Sequence, residues 1–276
     1  MDQYKGRIST LASKHDKLPL IAPPMLRQLD LEVVGVDVDT DLLGTFSGEV
    51  TRDGDMLTTA VRKARMGMQA SGLDLGFASE GSIGRRGFFP TEDFEIVVFV
   101  DDSQGITVTE SATSFEIAAH SWRLDTKTRL EEELSRAGFP EHGLIVRDGE
   151  DTSAPIHKGI HELDHLLLAI KDLHRHGSSM IQIESDLRAN HSPSRRLVIA
   201  KAAEKLARRI ATACPACSCP GWGEVRRLPG RRCAGCLVPT RLALAVLEGC
   251  ARCDATRTVD LGLPDADPDR CEWCNP

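Results

Sequence analysis

Short apolar runs alternate with longer segments whose apolar positions recur every three or four residues. The runs at 7–12, 31–38, 73–79, 94–100, 106–110, 144–147 and 180–184 predict strands. Helical periodicity covers 58–70, with Val61, Ala64 and Met68 on one face and Gly72 beyond its end. A second helix is predicted over 126–137, stopping before Gly138. A third spans about 159–174, with Ile160, Leu163, Leu167 and Ile170 as its stripe. The last runs from Ser192 or Ser194 to about 211, with Pro193 suited to a first turn and Leu197, Ile199, Ala200, Leu206 and Ile210 along it. Such alternation predicts an α/β fold: a mixed-sheet N-terminal domain with flanking helices over 1–191, a basic connecting helix over 192–212, and a zinc-ribbon-like module over 213–276.

At 276 residues the chain suits one large domain and a small appended one. Its 34 basic and 41 acidic residues exclude a protein that coats nucleic acid by overall charge. The polar start, and the lack of a long apolar stretch, predict a cytoplasmic protein without a membrane span.

All nine cysteines lie between Cys214 and Cys274. Eight form Cys-x-x-Cys knuckles: Cys214 with Cys217, Cys233 with Cys236, Cys250 with Cys253, and Cys271 with Cys274. In such a turn both thiolates can point at one ion. Clustering and the odd count argue for zinc over a disulfide framework. Fifteen residues separate the first knuckle from the second and seventeen the third from the fourth, which favours sequential pairing, although spacing leaves interleaved or nested pairing open. Four ligands per ion leave no open position, so both zinc ions should be structural. Cys219 has no partner at knuckle spacing and reads as a free thiol.

Three polar segments carry the other candidate chemistry. Ser13, Lys14, His15 and Lys17 follow the first strand, a sensible place to cradle a phosphate, while Pro19, Pro23 and Pro24 argue against a helix after it. Residues 78–84, Ala-Ser-Glu-Gly-Ser-Ile-Gly, read as an acidic, glycine-rich turn at a strand end. Glu80 there is a candidate Mg2+ ligand or base and Ser82 a phosphate contact. The segment 184–195 adds Glu184 and Asp186 for a metal and Arg188 and Arg195 for phosphate, or an Asp186 to Arg188 pair closed on itself. His157, His161 and His165, at helical spacing with Asp164, read as an exposed polar face. His120 and Trp122 could stack a base or pack one ring.

The order of strand, hydroxyl-and-lysine loop, strand, helix with alternating Ala, Arg and Lys, strand and acidic turn over about 7–110 resembles the inosine and xanthosine triphosphate pyrophosphatases. That resemblance implies a triphosphate on the first loop and Mg2+ on acidic residues. The whole chain also resembles a bacterial family of uncharacterised proteins, through residues 78–82, Glu184 to His191 with Pro193 and Arg195, and the closing Cys-Glu-Trp-Cys-Asn-Pro; no activity follows from it. The expectation is Mg-dependent binding or hydrolysis of a small phosphorylated ligand. The alternative is a nucleic-acid-binding or protein-interaction adaptor, contacting nucleic acid through Arg195, Arg196, Arg208 and Arg209 on a helix where seven basic residues between 187 and 210 face one glutamate.

Overall fold

The computed structural model describes residues 3–43, 54–84, 90–125 and 127–276. Thr126, the predicted start of one helix, lies outside them.

Five strands build the first sheet: β1 (Ile8–Ala12), β2 (Glu32–Val36), β3 (Leu75–Gly84), β4 (Glu92–Asp101) and β5 (Ile106–Ser114), in the order β2-β1-β3-β4-β5. β1 runs parallel to β2 and β3, whereas β3, β4 and β5 form an antiparallel meander. Helices α1 (Leu18–Leu29) and α5 (Pro193–Ile210) cover one face and α2 (Met56–Ser71) the other. The pleat sorts β4 accordingly: Ile96, Val98 and Val100 pack with Ala60, Ala64 and Met68 of α2, while Val97 and Phe99 join the core under α1 and α5.

Two expectations fail here for identifiable reasons. The glycine-rich turn at 80–84 is strand, because β3 stays paired with β4 from Leu75↔Asp101 to Gly84↔Glu92. Small residues resembled a turn locally, but a partner strand satisfies their backbone groups. Prolines do not prevent α1 either. Pro19 lies in the first turn, where an N–H has no partner in any case. Pro23 and Pro24 sit inside the helix and remove two bonds, yet Ile21, Pro24, Met25 and Leu29 are buried against the sheet and hold it. α2 matches its prediction, with Asp55 Oδ1 accepting from Thr58 N at 2.7 Å and Gly72 closing it at φ +73°.

The second sheet is antiparallel: β6 (Ser121–Leu124), β7 (Leu144–Asp148), β8 (His157–Ile160) and β9 (Ile181–Ser185), in the order β6-β9-β7-β8, packed with α3 (Leu130–Ala137) and α4 (Leu163–Arg175). β8 takes the start of the predicted third helix. α4 therefore begins later and buries Leu166, Ala169 and Leu173, leaving Leu163 and Leu167 exposed. Three consecutive leucines, 166–168, made the face ambiguous by periodicity. His157, His161 and His165 consequently share no helix face: His157 pairs with Asp172 at 3.1 Å, and His161 Nε2 lies 2.9 Å from His191 Nδ1. Trp122 is buried, with His120 stacked on it at 5.3 Å between centroids.

After this excursion α5 returns to the first sheet, so it is a core helix as well as a connection. Val198, Ile199, Ala202, Ala203, Leu206 and Ile210 are buried, while Leu197 is exposed. Arg27 and Gln28 of α1 hold its Glu204 at 2.6 and 2.7 Å. Lys205 and Arg209 donate to the carbonyls of Ser111 and Thr109 on edge strand β5, at 2.9 and 3.0 Å, which occupies acceptors that another chain could otherwise pair with. The cysteine module follows as an antiparallel sheet of β10 (Gly223–Pro229), β11 (Ala243–Gly249) and β12 (Thr256–Asp260). Among the described residues no helix is long and apolar enough to cross a membrane.

Candidate metal centres and a charged cleft

The eight knuckle cysteines form two groups, Cys214, Cys217, Cys250 and Cys253, and Cys233, Cys236, Cys271 and Cys274, with all ligand atoms of a group within 4.8 Å of one another. Sulfur separations are 3.8 Å for Cys214 with Cys253, 3.6 Å for Cys217 with Cys250, 3.8 Å for Cys233 with Cys274 and 3.6 Å for Cys236 with Cys271. A tetrahedral zinc with Zn–S near 2.3 Å requires about 3.8 Å between sulfurs, far from the roughly 2.05 Å of a disulfide. Each group can thus hold one zinc ion. Backbone amides at 3.3 to 3.4 Å support the thiolates: Ala216 N to Cys214, Arg252 N and Cys253 N to Cys250, and Gly235 N to Cys233.

Pairing is interleaved, first knuckle with third and second with fourth, which corrects the sequential expectation. The strands give the reason. One strand lies between each knuckle and the next, and every strand in an antiparallel meander reverses the chain. Gly223 at the start of β10 pairs with Gly249 at the end of β11, placing the first and third knuckles at one end; Pro229 pairs with Ala243 at the other. The fourth knuckle joins the second there through the Cys233↔Ala266 bridge. Cys219 belongs to neither group. It is buried in the core under α5, and its carbonyl accepts from Cys214 N at 2.8 Å.

In the α/β part, Lys17 and Arg195 come together on one face of the first sheet. Lys17 at the start of α1 is 7% exposed and donates to Ser79 Oγ at 2.9 Å. Burial, followed by the nearby Arg195 guanidinium, lowers its ammonium to about 8. Arg195, 1% exposed, pairs with Glu95 through Nε and donates to Leu187 O through Nη1 at 2.6 Å. Gly81 makes that pair fit: a Cβ there would lie 2.3 Å from Glu95 Oε1 and 2.4 Å from Arg195 Nη2. On the opposite, α2 face Glu80 pairs with Lys63. Asp93, fully buried next to Glu95, has its carboxyl pushed up to about 7, first by burial and then by the Glu95 charge.

The other candidates lie apart from this cluster. Ser82 is exposed on β3; Lys14 pairs with Asp39 at 2.5 Å, and His15 N donates to Ser13 Oγ at 3.4 Å. Glu184 and Asp186 line a cleft of about 410 Å3 between the sheets, with Arg147, Arg188, His120, Ser121 and Ser185. There Arg147 pairs with Glu184 at 3.0 Å. Arg188 donates to Asp186 at 2.6 and 2.9 Å and Gly159 N adds another bond at 3.0 Å. Burial would raise the Asp186 carboxyl, but these Arg188 bonds outweigh it and hold it below the usual range. Among the described residues, the groups of three or more clustered metal-ligating side chains are the two cysteine sets, so Glu80, Glu184 and Asp186 form no joint metal site. Of the four arginines considered for nucleic acid, Arg195 is enclosed, Arg196 bonds Asp16, Arg209 sits on β5 and Glu110, and Arg208 is exposed.

The reading from sequence overlooked Asp93, Glu95 and Arg147. One signal was available: Asp93 and Glu95 alternate with Phe94 and Ile96 in a strand too apolar to have a solvated face, which marks carboxylates needing buried partners.

No curated protein and no solved structure matches the chain. A family model does match residues 63–276, from within α2 through the last knuckle and so across the cleft and both cysteine groups, and the chain belongs to that family, described as Domain of unknown function (DUF6671).

Proposed function

We propose that the α/β part binds a small phosphorylated, nucleotide-like ligand in the cleft between the two sheets, with the zinc module as a structural unit. The observation that carries this is the cleft lining, where Arg147 and Arg188 are each held by a carboxylate beside the hydroxyls of Ser121 and Ser185. Asp186 fixes Arg188 in its rotamer, which prepares a planar donor for a phosphate at low entropic cost. Glu184 pairs with Arg147 and is the carboxylate that would bring Mg2+ to a bound phosphate; the ion would supply charge neutralisation. Arg195 braces the cleft wall by donating to the carbonyl of Leu187. Phosphoanhydride hydrolysis is the enzymatic form of this reading.

Calorimetric titration with pyrophosphate and with nucleoside triphosphates, with and without Mg2+, tests it. Binding in the micromolar range, weakened about tenfold or more by Arg188→Ala, is expected. No heat from any member would sink the reading, and binding without phosphate release would reduce it to a binding protein.

A further inference from the structure

The two cysteine groups differ in how the fold protects them. The proximal group begins four residues after α5 ends. Cys217, Cys250 and Ala251 pack against the main core, and Gly221 is so close to β5 that a Cβ would lie 2.6 Å from Val108. Arg209 of α5 donates to Gly221 O at 3.1 Å, and Arg252 donates to Cys217 O at 3.2 Å. Backbone amides reach all four of its sulfurs: Ala216 N donates to Cys214, Cys219 N to Cys217, Arg252 N and Cys253 N to Cys250, and Ala255 N to Cys253.

The distal group lies at the far end of the module sheet. Cys233 and Cys271 are buried, but Cys236 and Cys274 are exposed. Their neighbours in the knuckles, Leu237 and Trp273, are 58% and 75% exposed and give no cover. In the distal group Gly235 N and Cys236 N both donate to buried Cys233. Amide bonds and burial both lower the reactivity of a zinc-bound thiolate, by withdrawing charge from sulfur and by excluding reagent.

We propose that the distal group is a peroxide-responsive zinc site, oxidised at Cys236 or Cys274 with loss of its zinc while the proximal site keeps its own. The exposed thiolate attacks hydrogen peroxide, its sulfur takes one hydroxyl oxygen as the O–O bond breaks, and the departing hydroxide gains a proton from solvent. A neighbouring thiolate then attacks the sulfenic sulfur, Cys271 at 3.6 Å for Cys236 or Cys233 at 3.8 Å for Cys274. A disulfide forms, a second hydroxide leaves and is protonated, and two thiolates have given two electrons to the peroxide. With two of its four ligands removed, Zn2+ dissociates. The proposal rests on the zinc reading of the cysteines and is independent of the cleft.

The full chain, loaded with zinc and analysed for total metal, would be titrated with hydrogen peroxide while a chromogenic chelator reports free zinc. Differential alkylation and mass spectrometry would map the cysteines, and far-ultraviolet dichroism the helices. Release of one of two zinc ions is expected first, with oxidation confined to the distal four and helical signal unchanged. Oxidation of the proximal four first, or joint release of both ions, would overturn the proposal. Cys236→Ser and Cys274→Ser together should give a folded chain with one zinc that the same peroxide dose does not release; release there would also overturn it. Wild-type protein with fewer than two zinc ions would remove the metal reading and this proposal with it.

Discussion

Asp93 is enclosed next to Glu95, and its carboxyl titrates near 7 instead of the usual 4 or so. Between those values the folded chain keeps a proton that the unfolded chain has lost, so this group makes stability fall as pH rises from about 4 to 7 and level off above. Lys17 acts in a separate window: its lowered ammonium makes stability fall as pH drops from about 10.5 to 8. Asp93→Asn keeps a neutral donor to Glu95 and removes the first slope. Urea unfolding should find it more stable than wild type by about 2 kcal/mol at pH 7.5, with the gap closing by pH 5; a constant gap would contradict the assignment. Gly81→Ala should act through sterics. Its methyl would separate Arg195 from Glu95 and leave charges buried without partners, costing about 3 kcal/mol or more in the same assay.

Elements were legible where local chemistry and tertiary demand agreed. α2 carries Asp55, an apolar stripe and Gly72, and it forms as predicted. α1 was hidden because its prolines contradict helix locally while its burial favours it, and burial prevails. Pro23 is exposed, so Pro23→Ala would restore an N–H for the carbonyl of Pro19 without opening a cavity. A gain of about 1 kcal/mol is expected by denaturant titration. A loss would mean that the prolines stabilise the chain by restricting its unfolded state. β3 was cut short for the opposite reason, since small residues that suit a turn also allow a strand to approach Arg195.

For the whole molecule, α5 links the three parts. It fills the first sheet's core, follows the second sheet and leads into the proximal knuckle. Damage at the proximal site should therefore reach the α/β core, whereas damage at the distal site should not. Cys214→Ser is expected to lower the main thermal transition by on the order of 10 °C, and Cys236→Ser to leave it within about 2 °C. Equal shifts, followed by scanning calorimetry, would show that the module does not couple to the core through α5.

The sequence by itself determined the α/β class, the ligand set of eight cysteines and most strand positions, because knuckle spacing and apolar runs act over a few residues. It also marked Lys17, Glu80, Arg195, Asp186 and Arg188 as chemically notable. Only the tertiary structure decided which of these meet: Glu80 faces α2, Arg195 faces Glu95, and Asp186 holds Arg188 at a separate cleft. It also set the zinc pairing. Neighbouring residues on a strand point to opposite faces, and successive strands of a meander start at opposite ends, so proximity along the chain does not predict a shared site.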